Sequence, residues 1–356
     1  MITDVEYSPT LPLPAPRSTF YAARKGQTIM GMPLLPTLDE FNSSAPTPPI
    51  GANGYLCALA QLLDRATRFR ADCEERRVSP FGEAGAPGGC AGEIEADGWR
   101  WFNRLPEKAR RIGSVDGEGA ELQGWMWNPQ WIEETYDWGI NMVVFHATMA
   151  LLHGEIGPDL GPSSNLLKLA NELISHPGAS PHPRPDPTLT VAPDALLFSW
   201  YTSQSFNTAL SHTRRGISVL SEMTARVPPT NRRDTPFYGF AVRVLGLVEL
   251  FAAREIMLAG GGATAQEHLL RVAVPVAALG SQRALFGASR LGERLLQDLF
   301  TEIAGWEMTP AFVDGMRERG GQALDGVEVE RLAMGRSEGY PLGKAQRGAQ
   351  AFAMLH

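Results

Sequence analysis

Two histidines seven residues apart, His146 and His153, stand in an apolar run and therefore share one face of any helix that carries them. Imidazoles so placed are candidate metal ligands, and Glu155 beyond the second adds a carboxylate for acid–base work. The rest of that chemistry is missing. There is no H-E-x-x-H and no third ligand at a usable spacing. The favoured reading is two buried histidines, each hydrogen-bonded within a packed core, with Glu155 solvated at a helix end. No metal ligand and no catalytic residue is expected. Six residues combine apolar bodies with polar atoms and are chosen as ligand-pocket candidates on that ground, the two histidines among them: Trp131, Tyr136, His146, His153, Trp200 and Tyr201.

Other enzymatic signatures fail on spacing. Ser289, in GASRLG, does not sit in a G-x-S-x-G elbow. Gly260 to Gly262 lacks the Gly-Lys-Ser/Thr of a phosphate loop and reads as a helix stop, and no G-x-G-x-x-G follows a strand. A terpene-synthase carboxylate cluster and a cysteine–haem motif are also absent. Cys57, Cys73 and Cys90 match no zinc pattern and are expected to be reduced thiols. Trp99, Trp101, Trp125, Trp127, Trp131 and Trp138 form an unusual group. They would line a small-molecule pocket or, the favoured reading, pack in a core or interface. Arg100 and Arg104 lie among them, but their surroundings are not basic enough for a nucleic-acid platform.

The elements that must carry these residues are helices. Asn128-Pro129 is a start signal, side-chain cap followed by proline in the first turn. Glu133, Glu134 and Asp137 follow where the helix dipole favours negative charge. From Trp138 onward the residues are apolar nearly all round, the mark of a buried helix. Upstream, Leu56, Leu59, Leu62, Leu63, Ala66 and Phe69 recur at helical spacing over 52–77, with Arg65, Arg68, Arg70 and the EERR run expected on the wet face. Residues 80–93 read as a loop, and 94–111 as a short helix interrupted at Pro106. Downstream, helices are expected over 165–176, within 193–226 and over 237–258. Thr264-Ala-Gln-Glu267 is expected to open the next as a capping box, and helices continue to Ile303 with a hinge near Gly280 or Gly287.

Few segments alternate like strands, so the predicted class is all-α: an irregular set of eight or nine helices with no repeat. Nine prolines in residues 1–50 predict an extended arm, and its apolar residues favour packing over disorder. The expected organisation is this arm, a helical domain over 51–305, and a C-terminal helix with a loose tail over 306–356. Composition agrees with a globular chain. Apolar residues make up 44 % of 356, enough for a sizeable core. A net charge of −7 is not the footprint of a free-standing DNA-binding domain. No secretory signal is read at the amino terminus, and the longest apolar run is too short for a membrane span, so no membrane partner is expected.

Two segments carry a resemblance. FNRLPEKAR with Trp99 supplies Trp99, Leu105-Pro106 and Arg110, and NMVVFHATMALLHGEI supplies His146 and Leu151-Leu152-His153. Together they resemble the fungal-specific transcription factor domain, the middle homology region of zinc-cluster regulators. LCALAQLLDRATRF resembles that family's helix of small and apolar residues ending in an aromatic. Gly154-Glu155 replaces the basic-plus-proline pair that often follows the last histidine. The specific match covers about 50–155, and element order extends it over roughly 1–305. TDVEYSPTLPLP is similar to an extended stretch inside the family domain, so Met1 is expected to fall partway into it.

The resemblance implies a non-enzymatic regulatory domain acting in RNA polymerase II transcription, in the nucleus. It also implies a small-metabolite effector and contacts with the transcription machinery or a corepressor. DNA would be reached only through a missing N-terminal module, and zinc would be held only by that module's six-cysteine cluster; this chain itself needs no cofactor. The alternatives are a stand-alone helical module that forms homo- or hetero-dimers with intact regulators, and an all-α enzyme of unknown type built on the histidine face.

Overall fold

The computed structural model describes residues 37–43, 50–76, 90–112, 132–154, 204–227, 236–258, 262–282, 287–305, 307–310 and 312–313. These residues form nine helices and no strand, and 92 % of them are helical, so the chain is all-α as predicted. In chain order the helices are α1 (Leu38–Ser43), α2 (Ala52–Arg76), α3 (Cys90–Arg104), α4 (Glu107–Arg110), α5 (Ile132–His153), α6 (Gln204–Arg226), α7 (Pro236–Leu258), α8 (Gly262–Gln282) and α9 (Gly287–Ala304).

The arrangement is organised around α5. Nineteen of its 22 residues are buried, because a segment apolar on every side can only be satisfied by neighbours on every side. Helices α2, α3, α4, α6 and α7 all pack against it. Helices α7, α8 and α9 also pack on one another, and α6 touches α8. Asn141 of α5 ties the start of α2 in place: its amide donates to the Ala52 carbonyl at 3.0 Å and to the Asp137 carbonyl at 2.9 Å. Tyr55 joins three helices. Its hydroxyl donates to the Arg104 carbonyl at 2.6 Å, and its own carbonyl accepts from Trp101 Nε1 at 3.0 Å. Its ring meets Trp138 edge-on at 5.3 Å.

Several expectations needed correction. Residues 1–50 were expected to hold no regular helix, yet α1 forms there. Thr37 and Glu40 make a reciprocal capping box: Glu40 Oε2 accepts from the Thr37 N–H at 2.8 Å, and Thr37 Oγ1 accepts from the Glu40 N–H at 3.2 Å. Arg70 is not on the wet face of α2. Ala66, Phe69, Arg70 and Cys73 lie at steps of three, four and seven and share the buried stripe, while Arg65 and Arg68 are exposed as expected. Helix α3 begins at Cys90, inside the stretch read as a loop. Thr264 does not open α8, which starts at Gly262; the glycine read as a stop is the first residue of the next helix. The break expected near Gly280 or Gly287 falls at the latter, since α8 runs through Gly280 and α9 starts at Gly287.

Other expectations lie outside the described residues: the Asn128-Pro129 start, the helix over 165–176, most of the arm and of the tail, and the side chains of Trp125, Trp127, Trp131, Glu155, Trp200 and Tyr201. Within 306–356, Phe312 is buried and meets Phe300 with ring centroids 6.4 Å apart. Among the described residues no helix is long and apolar enough to cross a membrane.

Candidate functional site

The histidines singled out by spacing lead to a buried polar cluster on the seam between α5 and α6. Helix α6 brings in His212, whose Nδ1 lies 3.0 Å from Nδ1 of His146. Both rings are almost wholly enclosed. A contact between two Nδ1 atoms fixes the tautomers relative to each other, because one ring must donate and the other accept. The seam is tight for a local reason. Gly216, one turn beyond His212, has no side chain, and a Cβ there would stand 2.7 Å from Leu245 Cδ1 and 3.3 Å from His146 Cβ.

Electrostatics keep this pair neutral. Burial, then His212, then Arg215 hold the His146 imidazolium well below the usual histidine range. Burial, with His153 and Arg215 as further positive neighbours, lowers His212 to about 4. Aromatic rings close the cluster. Phe145 and Trp99 lie 5.8 and 5.6 Å from the His212 ring. Trp99 is also in edge contact with Phe102 at 5.6 Å and is 37 % exposed, so it connects the buried pair with the surface.

His153 occupies the end of the same face, about 10 Å further along the axis. Its Nε2 lies 3.4 Å from Glu95 Oε1 of α3. Burial lowers its affinity for protons, Glu95 opposes that shift, and the Arg70 guanidinium adds to it. Arg70 also lies near Gly154, where the α5 C-terminus favours a cation. The three histidines do not converge on one point, and among the described residues no group of three His, Cys, Asp or Glu could hold a metal ion.

The other sequence-chosen positions divide as follows. Tyr136 is buried, but ten residues before His146 on the same helix, about 15 Å away along its axis. It shares no site with the histidine pair. Leu105 and Leu152 are core residues, Leu151 is half-buried and Arg110 is exposed. Pro106 caps α4 at the predicted interruption, with φ −52° and ψ 142°. Trp101 and Trp138 pack in the core. Trp131, Trp200 and Tyr201 fall outside the described residues. His212, Arg70 and Glu95 are the site residues that the sequence reading missed. For His212 a signal existed: it lies beside the buried stripe Ala209, Thr213, Gly216 and Leu220.

Compared with protein-family profiles, curated proteins and solved structures, the chain matches none.

Proposed function

We propose that this chain is the regulatory domain of a fungal zinc-cluster-type transcription regulator, a non-enzymatic unit acting in RNA polymerase II transcription. The observation that carries the reading is a juxtaposition. The two segments that bear the resemblance, 99–110 and 146–153, pack together: Trp99 lies 5.8 Å from Phe145 and 5.6 Å from His212, which bonds His146. A regulatory domain needs two packings whose balance a ligand or partner shifts. A polar pair closed inside an apolar seam, with one aromatic neighbour at the surface, is a suitable element to hold one of them. The same enclosure weighs against acid–base catalysis by these histidines, since no substrate proton reaches them.

The test is a fusion of the whole chain to a heterologous DNA-binding domain upstream of a reporter gene in a yeast. The fusion is expected to raise or lower transcription relative to the DNA-binding domain alone. His212→Leu is expected to change that output while the fusion remains expressed. A fusion that is abundant, nuclear and without effect on the reporter would overturn the reading.

A further inference from the structure

A second polar feature lies between α1, α2 and α3, away from the histidine pair. It is a cleft of about 250 Å³. Phe41, Leu62 and Trp101 form its almost wholly buried floor, and among the described residues Arg65, Arg100 and Arg104 bring three guanidiniums against one carboxylate, Asp97. A chain with net charge −7 thus presents a locally cationic recess. Of the sequence-chosen pocket candidates, the three described ones, Tyr136, His146 and His153, do not line it.

The arginines are not equivalent. Arg104 is engaged with the protein itself: its guanidinium donates to the carbonyls of Phe41 and Asn42 at the end of α1 and lies 5.3 Å from the centre of the Phe41 ring. It positions the wall. Arg65 and Arg100 instead share Asp97, at 2.6 Å for Arg65 Nη1 and in close contact for Arg100 Nη2. Each of these bonds uses one donor of a five-donor fork. Arg65 and Arg100 are also well exposed, at 42 % and 64 % of their side chains. Asp97 shows that the two forks can converge on one oxyanion, the geometry in which arginine binds carboxylate or phosphate.

We propose that this cleft binds a small organic anion through its carboxylate or phosphate head. Arg65 and Arg100 hold the head. The volume corresponds to roughly eight displaced waters at about 30 Å³ each, the size of a single substituted ring. Asp97 competes with the ligand head for the same two forks. The site stands independently of the transcriptional reading.

Calorimetric titration of the full chain with benzoate, phenyl phosphate and the neutral isostere benzamide tests it. Saturable one-to-one binding is expected for at least one of the two anions, with benzamide weaker by about tenfold or more. The preferred anion identifies the head group. Arg65→Gln/Arg100→Gln is expected to remove that advantage, with circular dichroism unchanged because both side chains are exposed. Asp97→Asn is expected to tighten anion binding several-fold by freeing the forks. Anions that bind no better than benzamide would overturn the proposal, as would affinity indifferent to both arginines or weakened by Asp97→Asn.

Discussion

His146 meets His212 across the seam between α5 and α6, and Glu249 meets His268 across the seam between α7 and α8. Both pairs are buried, the first joining residues 66 apart in sequence and the second joining consecutive helices. They differ in what the partner contributes. Two imidazoles 3.0 Å apart form a neutral donor–acceptor pair, for which a second proton is unfavourable. Glu249 Oε2 and His268 Nδ1, 2.5 Å apart, form a short hydrogen bond between two wholly buried groups. Glu249 leaves its second oxygen, Oε1, without a hydrogen-bond partner among the described residues. The first pair therefore depends on staying uncharged, and the second on staying together. Helix geometry alone does not distinguish them; the chemistry of one side chain does.

The largest effect is expected from breaking the second pair. His268→Leu would leave the Glu249 carboxylate enclosed with neither oxygen paired, at a cost of about 3–5 kcal/mol. Glu249→Met/His268→Leu, which removes both polar groups, should recover most of that loss. Urea unfolding of the three proteins checks this. A single variant as stable as its parent would mean that the pair contributes nothing to the α7–α8 seam.

Acid should act through the first pair. Histidines that burial keeps neutral bind protons in the unfolded chain before they do so in the folded one. Stability is therefore independent of these groups above the ordinary histidine value of 6.5 and falls as pH drops from there toward about 4. For His212 the loss is on the order of 3 kcal/mol, and His146 and His153 shift in the same direction. The measurement is the urea midpoint at about pH 7 and about pH 4.5, for the parent and for His146→Leu/His212→Leu. The double variant is expected to lose distinctly less on acidification. An equal loss in both would mean that the proton-linked instability lies elsewhere.

At neutral pH the same residues give a smaller effect. His146→Leu alone leaves His212 Nδ1 enclosed without its partner and should cost about 1–3 kcal/mol. His146→Leu/His212→Leu should lie closer to the parent than the single variant does, because replacing both members of a neutral pair by apolar groups can be nearly neutral. A double variant whose loss equals the sum of the two single losses would mean that the rings are energetically uncoupled.

The two seams also show what a single sequence makes legible. Helices α2, α5 and α7 were readable to within a few residues, because α2 carries an apolar stripe at helical spacing and α5 and α7 are long, strongly apolar runs. The interruption at Pro106 was readable because proline removes a donor. Helix α1 was concealed by the prolines around it, although Thr37 and Glu40 stand at capping-box spacing. Arg70 was misplaced because its charge was weighed above its position beside Phe69 on the buried stripe. At the site, spacing identified His146 and His153 and anticipated their burial. It could not identify His212, 66 residues away, since which helix docks against which is decided by the fit of faces and not by local pattern. The Glu249–His268 pair lies on consecutive helices, yet local pattern does not show which faces of the two meet, and no enzyme-like motif marks it.

The smallest expected effect bears on why the His146 pair can form at all. A methyl group at Gly216 would lie 2.7 Å from Leu245 Cδ1, closer than packed atoms tolerate, and in tight contact with His146 Cβ at 3.3 Å. Gly216→Ala should cost about 1–3 kcal/mol by overpacking, offset by roughly 0.5–1 kcal/mol from the better helix propensity of alanine. The net loss is then on the order of 1 kcal/mol. Leu245→Val removes the nearest atoms, so Gly216→Ala/Leu245→Val should be more stable than the sum of its single variants implies. The histidine pair gives a second readout. If Gly216 sets the α5–α6 spacing, Gly216→Ala also weakens the contact between His146 and His212, and the ring-proton resonances of both histidines shift while those of His268 do not. A variant with parental stability and unshifted resonances would show that Leu245 yields to the methyl group, and that the seam is held by the histidines rather than by the absence of a side chain between them.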